Sequence, residues 1–274
     1  MPLINIINTP DKLISASWLA NKLFTNFGYK EDKFNEKDLL FKDSPMANQP
    51  LVADVSLIKY FKEISNQSFL SSCVANSVCD ATEAVISHRK NLDPNNIDNL
   101  SRLFCYWNAR NLQTPPSNSD NGTYIRLAAD SVMRYGLPKE TTWAYNENNV
   151  NIRPSIIAYR EAIVNRISGF YRISSTGNER ITQIKQALSA GSPVVFGTAL
   201  EEKFKQIIDD SIIMPPTGSI IGNHAMVCCG IIENKNSFIV RNSWGTSFGF
   251  GGYCLMHYSY FTSAYTKDLW AFNI

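Results

Sequence analysis

The sequence predicts an α+β chain of two lobes with a cleft between them. Two patterns carry this reading. Helical periodicity dominates to about residue 160, and short strands rich in β-branched and aromatic residues dominate after it. The chain has 274 residues, 44% of them hydrophobic, enough to bury a sizeable core without disulfides or metals as staples. No internal repeat is visible, and the junction of two lobes is a preferred place for a site.

Thr9-Pro10 reads as an N-cap followed by proline at the first helical position. Leu13, Ala16, Ala20, Leu23, Phe24 and Phe27 keep one apolar face, and Gly28 stops the helix. A weaker helix is expected around residues 37–42, before a breaker-rich stretch from Ser44-Pro45 to Gln49-Pro50. Residues 1–48 are therefore read as a helical N-terminal extension or short pro-segment. From Ser71 the sequence SSCVANSVCDATEAVISHR carries a serine as N-cap and an apolar stripe through Ala75, Val78 and Val85. Residues 91–99 break it, LSRLFCYWNARNL restores a helix, and residues 115–122 form a loop. A third helix over residues 123–135 ends at Gly136 and Pro138. Residues 49–160 make the mainly helical lobe, carrying Cys73.

The second half changes character. Residues 164–174 alternate like a strand, and residues 180–190 form a helix stopped by Gly191. SPVVFGTAL, HAMVCCGII, NSFIVRNSW and GGYCLMHY then follow as short strands between Gly- and Asn-bearing turns. Residues 161–274 make the mainly β lobe, carrying His224 and Asn242.

Charge excludes several classes. The formal net charge is +2 and no Lys- or Arg-rich run occurs, so no nucleic-acid partner is expected. No apolar stretch approaches the roughly 18–20 residues that span a bilayer, so no integral membrane segment is expected. The six cysteines contain no C-x-x-C pair and no His at zinc-ligand spacing, so no metal and no organic cofactor is implied. MPLINIINTPDK lacks a basic n-region and an apolar core. Reduced thiols in a cytoplasmic or intracellular protein, or one exported without a classical signal peptide, are the expectation.

Cys73 stands apart from the other five. It opens a helix, where free N–H groups and the macrodipole favour a thiolate. Gln67 lies six residues upstream, an amide donor for an oxyanion alongside the Cys73 N–H. Of the three histidines, His88 suits a helix C-terminus and His257 has no obvious partner. His224 opens a strand 151 residues after Cys73, and Asn242 follows 18 residues later. Asn242 is the group that orients the imidazole, and Trp244 shields their hydrogen bond from water.

These residues resemble the papain-like cysteine peptidases, in particular a bacterial and viral branch. QSFLSSCVA (67–75), Asn223-His224-Ala225 and NSWGTSFGFGGY (242–253) match the family's nucleophile, base and orienting segments in order, and LSRLFCYWNAR and Trp143-Ala144-Tyr145 point to that branch. The resemblance implies a papain-like two-lobe fold, a helical lobe and a β-barrel-like lobe with the active-site cleft between them. It implies a catalytic Cys73, His224 and Asn242, a Gln67 oxyanion donor, and Trp244, Gly122, Thr123 and Asn223 supporting the cleft. Departures occur: Leu70 stands where the family places a half-cystine, Val74 where it has tryptophan, and Ser68 and Ser71 where it has glycines. The implied activity is hydrolysis of peptide or isopeptide bonds in a polypeptide substrate through a covalent acyl-enzyme; residues 1–48 are read either as a permanent structural or partner-docking extension or as a pro-segment that inhibits by lying over the cleft. Two alternatives stand beside it: a catalytically occluded peptidase-fold binding protein, and a thiol amidase or acyltransferase acting on a protein partner.

Overall fold

A computed structural model describes residues 27–273. All of the helix expected to end at Phe27, except that last residue, lies outside them. Helix α1 (Cys73–Lys90) runs through the interior, buried from Cys73 to Ser87. Its two carboxylates survive burial because each has a cationic partner: Asp80 and Glu83 bind Arg102 at 2.7 and 2.6 Å, and Asp80 binds Arg241 at 2.8 Å. Asn91 ends it in the left-handed conformation (φ 47°), which asparagine tolerates. Helices α2 (Arg102–Asn111) and α3 (Ile125–Tyr135) pack on it. The Ser101 hydroxyl caps α2 at the Phe104 N–H.

Two sheets follow. Strand β1 (Tyr29–Lys30) pairs parallel with β2 (Thr123–Tyr124), with Tyr29 opposite Thr123. The larger sheet has seven strands: β3 (Gly169–Ile173), β4 (Val194–Glu201), β5 (Ile212–Ile213), β6 (Ile220–Ile232), β7 (Ser237–Arg241), β8 (Tyr253–His257) and β9 (Thr266–Asn273). Their spatial order is β3-β9-β4-β6-β7-β8-β5. The sheet is antiparallel except for the β5–β8 pair. Among the described residues β3 and β5 are the edge strands, β3 met on its outer side only by an isolated bridge from Leu40 to Arg172, so the β-rich half is an open sheet, without the closure that "barrel-like" suggests.

Several elements differ from the sequence expectation. The described part of the N-terminal extension is extended chain with one 3₁₀ turn at Phe41–Asp43, in place of the weak helix around 37–42. The strand expected over 164–174 begins only at Gly169, because residues 163–165 continue the short helix α4 (Ile156–Ala162) as a 3₁₀ turn. Helix α5 (Gly177–Ser189) starts three residues early. Helix α6 (Tyr258–Thr262) and β9 were not anticipated. Among the described residues no helix is long and apolar enough to cross a membrane.

Candidate active site

Cys73 is the first residue of α1, and its environment is set by the loop before it. Ser72 occupies the N-cap position, but its hydroxyl makes no cap bond. It lies 2.6 Å from the Tyr145 hydroxyl and accepts from Asn76 Nδ2 at 3.0 Å instead. The Ser71 N–H donates to Asp120 at 3.0 and 3.2 Å. Tyr106 donates its hydroxyl to the same carboxylate at 2.6 Å and accepts from the Gly122 N–H at 3.0 Å. One carboxylate thus ties the loop before Cys73 to the wall at Gly122 and Thr123.

His224 stands on β6 opposite Thr198, and Asn242 follows the last residue of β7. His224 Nε2 lies 2.8 Å from Asn242 Oδ1. That oxygen also accepts the Ser243 N–H at 2.8 Å, which identifies it as the acceptor and assigns the imidazole proton to Nε2. Nδ1 is then the basic nitrogen, and it is buried without a hydrogen-bond partner among the described residues. Trp244 tilts over the imidazole, with centroids 4.8 Å apart, and Phe204 and Phe248 pack on the indole at 5.6 and 5.4 Å. This aromatic cover keeps water from the His224–Asn242 bond.

Gln67 is fixed by the same segment. Its N–H donates to Ser243 O at 2.9 Å, its Oε1 accepts the Ser243 hydroxyl at 2.8 Å, and its Nε2 donates to Leu70 O at 3.0 Å. Ser243 therefore orients Gln67 as well as following Asn242, a role with no signature in the sequence beyond its place in NSWG. Asn223 is exposed on β6 beside His224. Among the described residues no group of three or more His, Cys, Asp or Glu is arranged to hold a metal ion.

Burial works against the thiolate expected from the sequence. Burial pushes the Cys73 thiol up to about 11, against the pull of the Ala225, Gly28, Val74 and Cys73 backbone N–H groups. Burial likewise lowers His224 to about 4, opposed by its bond to Asn242. Both shifts favour the neutral forms of thiol and imidazole in this closed cleft. His88 also departs from its expected surface role. Its ring packs edge-on against Tyr60 with centroids 4.8 Å apart, and it fills the space over Gly191.

What closes the cleft is the chain itself. Phe27 lies edge-on to His224 and Trp244, with centroids 6.2 and 6.3 Å apart. Gly28 passes Cys73 so closely that a Cβ there would sit 1.8 Å from Ser71 O. Gly28 O accepts the Thr123 N–H at 2.9 Å, and Gly122 could bear no side chain beneath that carbonyl, 2.1 Å from its ideal Cβ. Lys30 Nζ reaches Gln113 Oε1 at 3.2 Å and Asn121 Oδ1 at 3.3 Å. Gly122 and Thr123, read from the sequence as supporting the cleft, here meet this segment: Gly122 packs against Gly28, and Thr123 pairs with Tyr29. Phe27, Gly28 and Tyr29 were missed as cleft residues because Gly28 read simply as a helix stop.

Comparison with known proteins fits this arrangement. A profile described as "Papain family cysteine protease" matches residues 50–267. An uncharacterized peptidase C1-like protein of Acanthamoeba polyphaga mimivirus is 32% identical, over 89% of this chain and 86% of its own. Cysteine proteinase 2 of Entamoeba histolytica is 26% identical over 70% of this chain and 59% of its own length. Among solved structures, xylellain, a cysteine protease from Xylella fastidiosa, superimposes with a TM-score of 0.78 at 25% identity, covering 90% of this chain and 96% of its own. Digestive procathepsin L 3 of Tenebrio molitor shares the fold with a TM-score of 0.71 at 16% identity, covering 94% and 80%. With a family match over most of its length, this chain belongs to the papain family of cysteine proteases.

Proposed function

We propose that the chain hydrolyses peptide or isopeptide bonds at Cys73 through an acyl-enzyme, and that residues 27–30 hold it shut until displaced. The observation that carries the catalytic part is the His224 Nε2–Asn242 Oδ1 contact of 2.8 Å under Trp244, which leaves Nδ1 as the base. Ala225, next to His224, directs its backbone N–H at the Cys73 thiol, so base and nucleophile are neighbours. Once the cleft opens, the thiol proton passes to Nδ1 and the sulfur attacks the substrate carbonyl carbon. Gln67 and the Cys73 N–H stabilise the resulting oxyanion, each donor contributing on the order of 3 kcal/mol. His224 then protonates the leaving nitrogen as the C–N bond breaks, leaving a thioester on Cys73. Water gives a proton to His224, attacks the thioester and restores the thiol.

The closing role of residues 27–30 rests on direction as well as position. His224 serves the leaving nitrogen, so Phe27 occupies the leaving-group side and Tyr29 the acyl side. The segment therefore runs through the cleft opposite to a substrate, whose acyl part precedes its scissile bond. Its parallel pairing with β2 agrees, since a substrate in the reverse direction pairs antiparallel with the same strand. No carbonyl of the segment need then meet the nucleophile in a productive pose. The test is Cys73→Ala against the parent: hydrolysis of a peptide library is expected to vanish while the circular dichroism spectrum is unchanged. Undiminished turnover in Cys73→Ala overturns the assignment.

A further inference from the structure

The two oxyanion donors proposed above share one loop, residues 67–73, and one peptide group of that loop is held from both ends. The Leu70 carbonyl accepts Gln67 Nε2 at 3.0 Å. The N–H of the same peptide, on Ser71, donates to Asp120 Oδ1 and Oδ2 at 3.0 and 3.2 Å. A planar peptide transmits direction from one end to the other, and hydrogen bonds in a chain strengthen one another. Fixing one amide proton of Gln67 at Leu70 O also fixes the direction of the second, since both lie in the amide plane. Ser71 adds a bond from its hydroxyl to Asp120 O at 3.4 Å, an anchor that a glycine in its place would lack. Asp120 is held from behind in turn. Tyr106 donates to its Oδ1 at 2.6 Å, and Arg110 lies 4.4 Å over the Tyr106 ring and binds Ser119 O at 2.7 Å. Leu70 offers no thiol to brace the loop covalently.

We infer that Asp120 is a positioning residue for the reaction at Cys73: by holding the Leu70–Ser71 peptide it aims the Gln67 amide, and with it the Cys73 N–H two residues on, at the oxygen of the tetrahedral intermediate. This rests on the peptidase reading above. Asp120 acts only through other residues. Without it the Leu70–Ser71 peptide gains rotational freedom and Leu70 O turns with it. The Gln67 donor then loses its fixed direction just as negative charge collects on the substrate oxygen. The base is held from a separate part of the chain, since His224 is oriented by Asn242 at 2.8 Å. The loss therefore belongs to the step that forms an oxyanion, and the intrinsic reactivity of the sulfur is spared. That difference separates Asp120 from a residue that merely holds the fold.

The experiment uses the full chain with Asp120→Leu, which keeps a branched side chain and removes both acceptor oxygens, and with Asp120→Asn, which keeps one. Asp120→Leu is expected to lower kcat by about 10–100-fold at near-constant KM, as a misdirected oxyanion donor should. Asp120→Asn is expected to stay within about fivefold of the parent. Alkylation by iodoacetamide is the control, because the sulfur there displaces iodide from a saturated carbon and no oxyanion forms. Its rate at Cys73 in Asp120→Leu is expected to match the parent's within about twofold. An unchanged kcat in Asp120→Leu overturns the inference and leaves the peptidase reading intact. So does alkylation that changes in step with hydrolysis, or an Asp120→Asn as impaired as Asp120→Leu. A second readout needs no turnover: a peptide aldehyde, whose carbon bonds to the Cys73 sulfur while the thiol proton ends on the aldehyde oxygen. Suppose the parent cleaves nothing, yet the aldehyde protects its Cys73 from iodoacetamide at about 10–100-fold lower concentration than in Asp120→Leu. The peptidase reading then fails and the positioning of the donors stands. Equal protection of the two overturns the inference. Should Asp120→Leu not fold, Asp120→Ser, too short to reach the Ser71 N–H, takes its place in the same assays.

Discussion

The Asn242 carboxamide oxygen accepts from His224 Nε2 and from the Ser243 N–H, both at 2.8 Å. Two donors on one oxygen fix the amide, and the amide fixes which imidazole nitrogen carries the proton. Removing it frees the ring to adopt the other tautomer, in which Nδ1 holds a proton and cannot take one from Cys73. Asn242→Ala is therefore expected to lower kcat by about 10²-fold with little change in KM, toward the low end of what a positioned acid–base group contributes. A loss confined to KM contradicts the orienting role. Cys73 makes the complementary point about protonation. Its thiol, pushed up to about 11 by burial, is a poor nucleophile while the segment is closed. Alkylation of Cys73 in the parent chain is expected to climb steadily from pH 6 to pH 9, following the thiolate fraction. In Phe27→Ala, which uncovers His224 and Trp244, the climb is expected to begin at lower pH as water returns to the site. Mass spectrometry of iodoacetamide-treated protein reads both profiles, and identical profiles contradict the link between closure and the neutral pair.

At the scale of the element, the closing segment is latched by carboxylates. Asp32 accepts from Trp270 Nε1 at 2.9 Å and from the Arg126 N–H at 3.3 Å, and its own N–H binds Asp268. Arg126 and Arg172 both bind Asp38, at 2.7 and 2.9 Å, and Arg172 also binds Asp268. Burial and the neighbouring Asp268 charge raise Asp32 from 3.8 to about 7, against the pull of Arg126, Trp270 and the Arg126 N–H. A folded-state value above the unfolded one means that the folded chain binds more protons between the two. The stability this lends is fully present below about pH 4 and is lost as pH rises through about 7. The latch is accordingly expected to loosen toward alkaline pH. Between pH 5 and pH 8 the parent's Tm is expected to fall more than that of Asp32→Asn, whose amide does not titrate. Parallel Tm curves contradict it. None of this latch was legible beforehand, because Tyr29 and Asp268 are 239 residues apart. The same distance hid β9: TKDLWAFN carries Lys and Asp among its apolar residues, and Asp268 is accommodated there only by Tyr29, Asp32 and Arg172.

Across the whole molecule, the residues proposed for catalysis could be chosen from the sequence, and their setting could not. Cys73, His224 and Asn242 could be chosen because helix start, base and amide have sequence signatures at family-like spacing. The α1, α2 and α3 helices and the β4, β6, β7 and β8 strands could be placed because their periodicity is strong. Segment closure, the open sheet and the neutral thiol depend on what packs where, which no local pattern encodes. The joint between the halves is of that kind. Asp80, on α1 two turns beyond Cys73, binds Arg241 Nε at 2.8 Å and Arg102 Nη2 at 2.7 Å. Arg241 ends β7 immediately before Asn242, and it also donates to the Lys62 and Glu63 carbonyls at 3.1 and 2.6 Å. One buried carboxylate therefore fixes the helix that begins at Cys73 against the strand that leads into Asn242. Arg102 keeps Glu83 if Asp80 is lost, but Arg241 keeps only carbonyl and hydroxyl partners for its charge. Asp80→Ala is expected to cost about 3–5 kcal/mol of stability, read from urea midpoints, because a guanidinium is left buried without its counter-ion. Asp80→Ala with Arg241→Met removes both charges and is expected to recover most of that loss. If the double variant is as unstable as the single one, the carboxylate matters for something other than Arg241. If stability recovers while kcat stays depressed, Arg241 is positioning Asn242 in addition to neutralising Asp80.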